Sequence, residues 1–457
     1  AVDAERKFSS ELVLEAIERA VPMTEIKAVL QETGSQEIRE RKFNLVVVVL
    51  LTIAMSIYTH LSIGRVMQEI ARGLRFVWPE PDWRVAKDSA ITYRRYQLGA
   101  EPLVALFHRV CRPLATPQTL GAFLFGLRVM AIDGTVEDAP DTPENARVFG
   151  RQHGSRGDSA FPQVRGVYLA ECGTHAVVDA GFWPYGTCER VGAFRVLRSV
   201  APGMLVMWDR GLHDFDMLAG VRQRGGQVLS RLPSFVNPQR VRTLADGSYL
   251  ADLRPSDYQR RKAAERLRVR IIEYTITDPT LPGYSERHRL VTTLLDVKTY
   301  PALDLVCAYH ERWEIELVID EMDTHQRLAG RPLRSLKPVG VIQELYGLLI
   351  AHYAVRFLMH EAALQAGVDP DRVSFVHALH VLHDAIPEFQ MTSPEQHAQL
   401  FARLLRDIAA NLLPERHLRT NPRVVKRKMS NFHLKRPEHR QWPQPTSRSF
   451  RQAVALI

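Results

Sequence analysis

The chain has 457 residues, a formal net charge of +9, 46% apolar residues and 24% charged ones. These proportions exclude disorder over most of the length, and the length accommodates about two to four domains. A basic balance favours polyanionic partners without bearing on fold. The four cysteines, Cys111, Cys172, Cys188 and Cys307, form no Cys-x-x-Cys pair, which argues against a zinc ribbon and for a reducing compartment.

Residues 8 to about 125 read as helical. Apolar residues from Glu11 onward recur at three and four, the period of one helix face, and further helical patterns run over 35–60, 62–74 and 86–112. Pro79 and Pro81 break the chain between the last two. The apolar run Leu45 to Tyr58 is shorter than the roughly 20 residues a membrane span needs, so it is expected to be a buried helix and the chain to have no membrane partner. The stretch Ser89 to Tyr96 carries Arg94, Arg95, Tyr93 and Tyr96, and reads equally as a phosphate-contacting helix start or a solvated face.

The texture changes near residue 126. Leu127 to Asp133 is a short apolar run ending in an acid. Gln163–Glu171 and Thr174–Phe182 are predicted strands, parted by a turn at Cys172-Gly173. A helix is predicted over 190–199, and Gly203 to Asp209 is again a strand ending in an acid. Residues 220–300 are strand-rich and basic, with turn signals at Gly225-Gly226, Asp246-Gly247 and Pro282-Gly283. Helical pattern returns from Tyr300 to about Leu413, followed from Arg416 to Arg440 by a densely basic run that includes Arg427 and Lys428 and is opposed only by Glu438. The whole is an α/β pattern.

Two acids end apolar strands and are followed closely by glycine: Asp133 in Ala131-Ile132-Asp133-Gly134-Thr135, and Asp209 in Met207-Trp208-Asp209-Arg210-Gly211. Glycine lets the chain turn and a substrate approach, and carboxylates at neighbouring strand ends suit hard cations. One Asp-Gly pair is ordinarily a turn; two, each capping an apolar strand, are more informative. The third element is the helix from Tyr309 to Asp323. At roughly 100° per residue, Tyr309, Arg312, Glu316 and Asp323 fall within about 60° of one another, with Asp320 beside them, while Ile315, Val318, Ile319 and Met322 form an adjoining apolar face. Glu137, Asp138 and Asp141 after the first acid read as a solvated loop, Asp214 and Asp216 as helix-start residues, and Glu189 as a candidate neighbour of the site. His377, His380 and His383 recur every three residues, a step that spreads them over about 120° of a helix, and are set aside as a metal site.

The run Tyr309-x2-Arg312-x3-Glu316 resembles the Tyr-x2-Arg-x3-Glu-x6-Lys signature of the insertion-sequence-four family of bacterial DDE transposases. The segments around Asp133 and Asp209 resemble that family's first two acidic motifs, in the same order, and the helical N-terminal region resembles its N-terminal domain. The resemblance covers nearly the whole chain. It implies a helical N-terminal DNA-binding domain (1–125), a ribonuclease-H-like core in two parts (126–219 and 301–413, the second with helices), a β-rich insertion between them (220–300) and a basic C-terminal tail (414–457).

It further implies two Mg²⁺ ions, replaceable by Mn²⁺, held by a catalytic triad of Asp133, Asp209 and Glu316. The implied chemistry is cut-and-paste transposition: end nicking, hairpin formation and strand transfer. Tyr309, Arg312, Arg210, Arg427 and Lys428 are the expected DNA contacts. The implied partners are double-stranded DNA with terminal inverted repeats, target DNA and a second copy of the chain on paired ends, in a bacterial cytoplasm at the nucleoid. A stacking aromatic for a flipped base would come from Phe235, Tyr249, Tyr258, Tyr274 or Tyr284. Where the signature has lysine this chain has Asp323, with Arg327 as a candidate substitute. That departure supports an alternative, an impaired or repurposed transposase acting as a DNA-binding protein.

Overall fold

The computed structural model describes residues 15–35, 44–72, 87–154, 157–262, 265–281, 283–310, 313–327, 330–414, 425–426, 433–434 and 449–457. They form a mixed α/β fold of two compact units. The first comprises 1–123, 130–199 and 314–413; the second comprises 124–129, 200–313 and 414–457.

The first unit is built around the helix Pro338–Ala366, 29 residues long. Lys337 precedes a proline in its first turn, where a missing N–H costs nothing. Gly367, at φ 66°, closes it in the left-handed conformation, with the N–H of Val368 bonded to the carbonyl of Ala363. Residues on every side of this helix are buried, so other helices wrap it all round. One of them is Leu45–Ala54, capped by Asn44, whose side chain accepts the Val47 N–H at 3.0 Å; every residue except Val46 is buried. A Cβ at Gly347 would lie 2.8 Å from the carbonyl oxygen of Thr52, so glycine is what lets the two helices cross closely. No helix among the described residues is long and apolar enough to cross a membrane.

The expected helix over 86–112 is two, Asp88–Leu98 and Glu101–Val110, parted at Gly99 (φ 70°). Arg94 and Arg95 are buried rather than offered to phosphate: Arg95 donates to Ser335 Oγ at 3.1 Å, and Arg94 to Gln97 Oε1 at 2.8 Å.

The sheet strands of this unit are Leu127–Asp138 (from Met130 on), Gln163–Glu171 and Val177–Pro184, antiparallel in that order. The first strand does not end at Asp133. It continues through Asp138, with Asp133 opposite Tyr168 and Asp138 opposite Gln163. The third begins at Val177, three residues later than expected, because 172–174 form a turn and His175 takes a left-handed φ of 57°.

The second unit has a mixed sheet in the order Met204–Trp208, Gln227–Arg231, Arg287–Thr292, Leu267–Ile276, Tyr249–Leu253, Gln239–Thr243. The first pair is parallel, joined across the helix Phe215–Gln223; the others are antiparallel. The C-terminal strand Val454–Leu456 pairs with the far half of Leu267–Ile276.

Candidate active site

Asp133 is half-buried in the middle of its strand, with Oδ1 accepting the N–H of Gly134 at 2.9 Å. Strand alternation puts Asp133, Thr135 and Glu137 on one face, together with Tyr168 opposite Asp133. The helical segment carrying Glu316 runs along that face. Thr135 Oγ1 is 3.4 Å from Asp323 Oδ2, and Arg327 pairs with Glu137. Later helical residues thus meet later strand residues. The opposite face belongs to the helix Glu189–Val196: a Cβ on Gly134 would fall 2.7 Å from Glu189 Oε1 and 2.9 Å from the Gly166 carbonyl. Glu189 therefore lies across the sheet from Asp133, not beside it as the sequence suggested. Glu137 and Asp138 belong to the strand rather than a solvated loop, and Glu137 is buried against Arg327.

The single helix expected from Tyr309 to Asp323 is found as Ala302–His310, Trp313–Asp320 and a π-helical turn over Glu321–Gln326. Arg312 lies outside the described residues, as do Arg427 and Lys428. Asp323 stands inside the π turn, which has a wider i→i+5 spacing than the helix before it. Its carboxyl is pushed up to about 8, by burial first and by Glu137 second. Arg327 spans Glu137 and Asp323, 3.8 Å from the latter. Lysine's place is thus taken by an acid inside a self-paired cluster.

Glu316 is half-buried, whereas its neighbours Glu314 and Glu321 face inward. Both engage His175: Nε2 is 2.7 Å from Glu314 Oε2 and Nδ1 is 2.9 Å from Glu321 Oε1. Glu321 also pairs with Arg356 and with His352 at 3.0 Å. Burial and the Arg356 guanidinium push the His175 imidazole down, but the surrounding carboxylates outweigh them and set it at about 9. Burial pushes Asp371, 3.3 Å from His175 Nε2, up to about 7. No sequence spacing announced this cluster.

In the second unit, Asp209 follows the strand Met204–Trp208 and caps the 3₁₀ turn Arg210–Leu212. Its Oδ1 accepts the N–H of Gly211 at 2.7 Å and of Leu212 at 3.3 Å. Among the described residues, both of these hydrogen bonds fall on Oδ1. The strand-end placement expected for this acid is the one observed. Tyr309 donates its hydroxyl to the carbonyl of Trp208 at 3.3 Å, beside Asp209 in the chain. Arg210 is exposed, and no ion pair among the described residues includes it. Asp214 caps the next helix, accepting the Asp216 N–H at 2.8 Å, as expected. Half-buried carboxylates are the hard oxygen donors that divalent ions such as Mg²⁺ take, so Asp133, Asp209 and Glu316 fit such ions in chemistry and in access.

The spaced histidines have different surroundings. His377 bonds the Asp407 carbonyl at 2.9 Å, and the His383 ring lies 4.6 Å from that of Tyr58. Of the candidate stacking aromatics, Tyr249 and Tyr274 are buried in the sheet, whereas Phe235 is 82% exposed, Tyr258 66% and Tyr284 50%.

Two family descriptions match the chain: "Insertion element 4 transposase N-terminal" over residues 12–108 and "Transposase DDE domain" over 124–354. The transposase InsG for insertion sequence element IS4 of Escherichia coli (strain K12) is 28% identical over 442 residues, covering 94% of this chain and 93% of that protein. The cryo-EM structure of the piggyBac transposase synaptic complex with hairpin DNA aligns at 12% identity and a TM-score of 0.41, covering 88% of this chain and 85% of that one. The match over 124–354 spans half of the chain and contains Asp133, Asp209, Tyr309 and Glu316. The chain belongs to the insertion-sequence-four family of DDE transposases, enzymes that use divalent metal to cleave DNA.

Proposed function

We propose that this transposase moves its element by cut-and-paste transposition, through end nicking, hairpin formation and strand transfer into target DNA. Asp133, Asp209 and Glu316 are the carboxylates that hold two Mg²⁺ ions, for which Mn²⁺ can substitute, within a ribonuclease-H-like core. The observation that supports this most is chemical: the three motifs, in family order inside the matched DDE segment, each present a half-buried acid. When bound, such ions activate the attacking water or 3′-hydroxyl and neutralise charge on the leaving oxygen.

The chain's own groups do the positioning. Backbone N–H donors fix Asp133 Oδ1 and Asp209 Oδ1, which limits the rotation of each carboxylate. Tyr309, tied to the Trp208 carbonyl, and exposed Arg210 contact phosphate oxygens at the cut end in this reading. Arg312 contributes a bidentate phosphate contact by the family signature, and Arg427 and Lys428 a basic arm. Phe235, the most exposed aromatic of its region, is the residue on which a flipped base stacks. The chain works as a homodimer on paired inverted-repeat ends, in the cytoplasm and on the nucleoid.

The test is cleavage of a plasmid bearing the element's terminal repeats. Glu316→Gln, and likewise Asp133→Asn and Asp209→Asn, lower cleavage by about 1,000-fold or more, since several kcal/mol of charge stabilisation is lost, while end binding persists. Undiminished cleavage by Glu316→Gln in Mg²⁺ overturns the assignment. Asp323 in the lysine position favours a second reading, a repurposed DNA-binding protein. Specific end binding by the wild-type chain with no cleavage in Mg²⁺ or Mn²⁺ would establish it.

A further inference from the structure

Behind the Glu316 helix lies a second constellation of ligand atoms. His175, Glu314 and Asp371 each offer one atom within 4.8 Å of the others, the cluster of metal-ligating type found among the described residues. We propose that His175 Nε2, Glu314 and Asp371 form a transition-metal site of the Zn²⁺ type, distinct from the catalytic carboxylates, that fastens the glutamate helix to the body of the first unit.

The geometry argues for a metal in three ways. First, the histidine is oriented as metal-bound histidines are. Its Nδ1 is held 2.9 Å from Glu321 Oε1, a carboxylate itself paired with Arg356 and His352, and this turns Nε2 toward Glu314 and Asp371. A carboxylate behind the ring orients it, and the Arg356 guanidinium also meets Nδ1 there. Second, the spacing fits. Ligands at tetrahedral Zn²⁺ stand about 3.3 Å apart. Nε2 is 3.3 Å from Asp371 Oδ1, and the 2.7 Å to Glu314 Oε2 needs to open by about half an ångström.

Third, Asp371 Oδ1 is buried and accepts no hydrogen bond, yet it is aimed at Nε2, while 23% of its side chain remains open to solvent. That rim gives an ion a way in. Glu314, Glu321 and Asp371 bring three carboxyl groups to a pocket where Arg356 is the guanidinium, and a divalent ion that displaces the His175 proton takes over the positive charge that proton supplies. His175 also keeps a left-handed backbone, φ 57°, in the turn that delivers it. The site is separate from Glu316: residues two apart on a helix point to opposite sides, and Glu314 shares its inward face with Glu321. An imidazole ligand favours Zn²⁺ over Mg²⁺.

The test uses the full chain carrying Asp133→Asn, Asp209→Asn and Glu316→Gln, so that the catalytic acids cannot contribute. Titration with Zn²⁺, and with Co²⁺ followed by its visible absorption, is run in excess Mg²⁺. One equivalent should bind, with a rise in melting temperature. Adding Asp371→Asn, a near-isosteric change at the rim, should weaken binding by about 100-fold or more, and Glu321→Gln by about 10–100-fold. If the triple variant binds no Zn²⁺ in excess Mg²⁺, the cluster is a protonated histidine between carboxylates and the proposal falls. It falls equally if Asp371→Asn binds as tightly as its parent.

Discussion

Asp323 makes a quantitative prediction, because it stands where the family signature has lysine and is held in an unfavourable place. Its carboxyl titrates at about 8 in the folded chain against 3.8 in the open, owing to burial first and to Glu137 second. The sign follows from proton counts. Below pH 3.8 both states hold the proton; between 3.8 and about 8 the folded chain keeps a proton that the unfolded chain has lost. Stability therefore falls as pH rises through that window, by at most about 1.4 kcal/mol per pH unit. The ceiling over the window is about 6 kcal/mol. With 29% of the side chain in solvent and the proton shared with Glu137, about 2–3 kcal/mol is the size to expect.

Asp323→Asn keeps the shape and removes the titration. Its gain over wild type should be below about 1 kcal/mol at pH 5 and should grow to about 2–3 kcal/mol by pH 8. Urea unfolding of both proteins at pH 5, 6.5 and 8 measures it. Parallel stability curves for the two would refute the buried, acid-paired environment assigned to Asp323.

Asp323→Lys should do more than neutralise. The amine would take up part of the pairing between Glu137 and Arg327, and end affinity at low salt should rise about tenfold with a steeper salt dependence; filter binding that shows unchanged or weaker affinity counts against it. Phe235→Ala should weaken binding of a hairpin-ended substrate by about 10–100-fold, the worth of one base–aromatic stack, without altering unfolding, since the ring is 82% exposed. A fluorescent base analogue at the flipped position, quenched equally by both proteins, would place the stack on another residue.

Much of the architecture was legible because it rests on local pattern. Leu45–Ala54 shows itself by an apolar run bounded by Asn44, and Met204–Trp208 by an apolar run bounded by Asp209, whose side chain then caps the following turn. The end of the first acidic strand was not legible. Gly134–Asp138 carries no apolar run, and the strand continues because partners far along the chain satisfy its polar face, Asp323 at Thr135 and Arg327 at Glu137. Arg95 misled for the same reason: the groups it bonds in the interior include Ser335 and Gly340, some 240 residues away.

The glutamate helix shows where helical periodicity stops being sufficient. At 100° per residue the wheel separates Glu316 from Glu314 and Glu321, and the structure gives that separation a cause. Glu314 and Glu321, two turns apart on one face, are drawn inward by His175, Arg356 and His352. Asp320 sits at the exposed end, accepting from Thr324 Oγ1 at 2.7 Å and lying 3.4 Å from His325. The acid face is therefore set by inward ion pairs as much as by apolar residues. The six residues that follow Asp320, Glu321–Gln326, form a π turn that no spacing announced. A constant step of 100° per residue applies to Trp313–Asp320 and no longer to Asp323, which stands in the π turn.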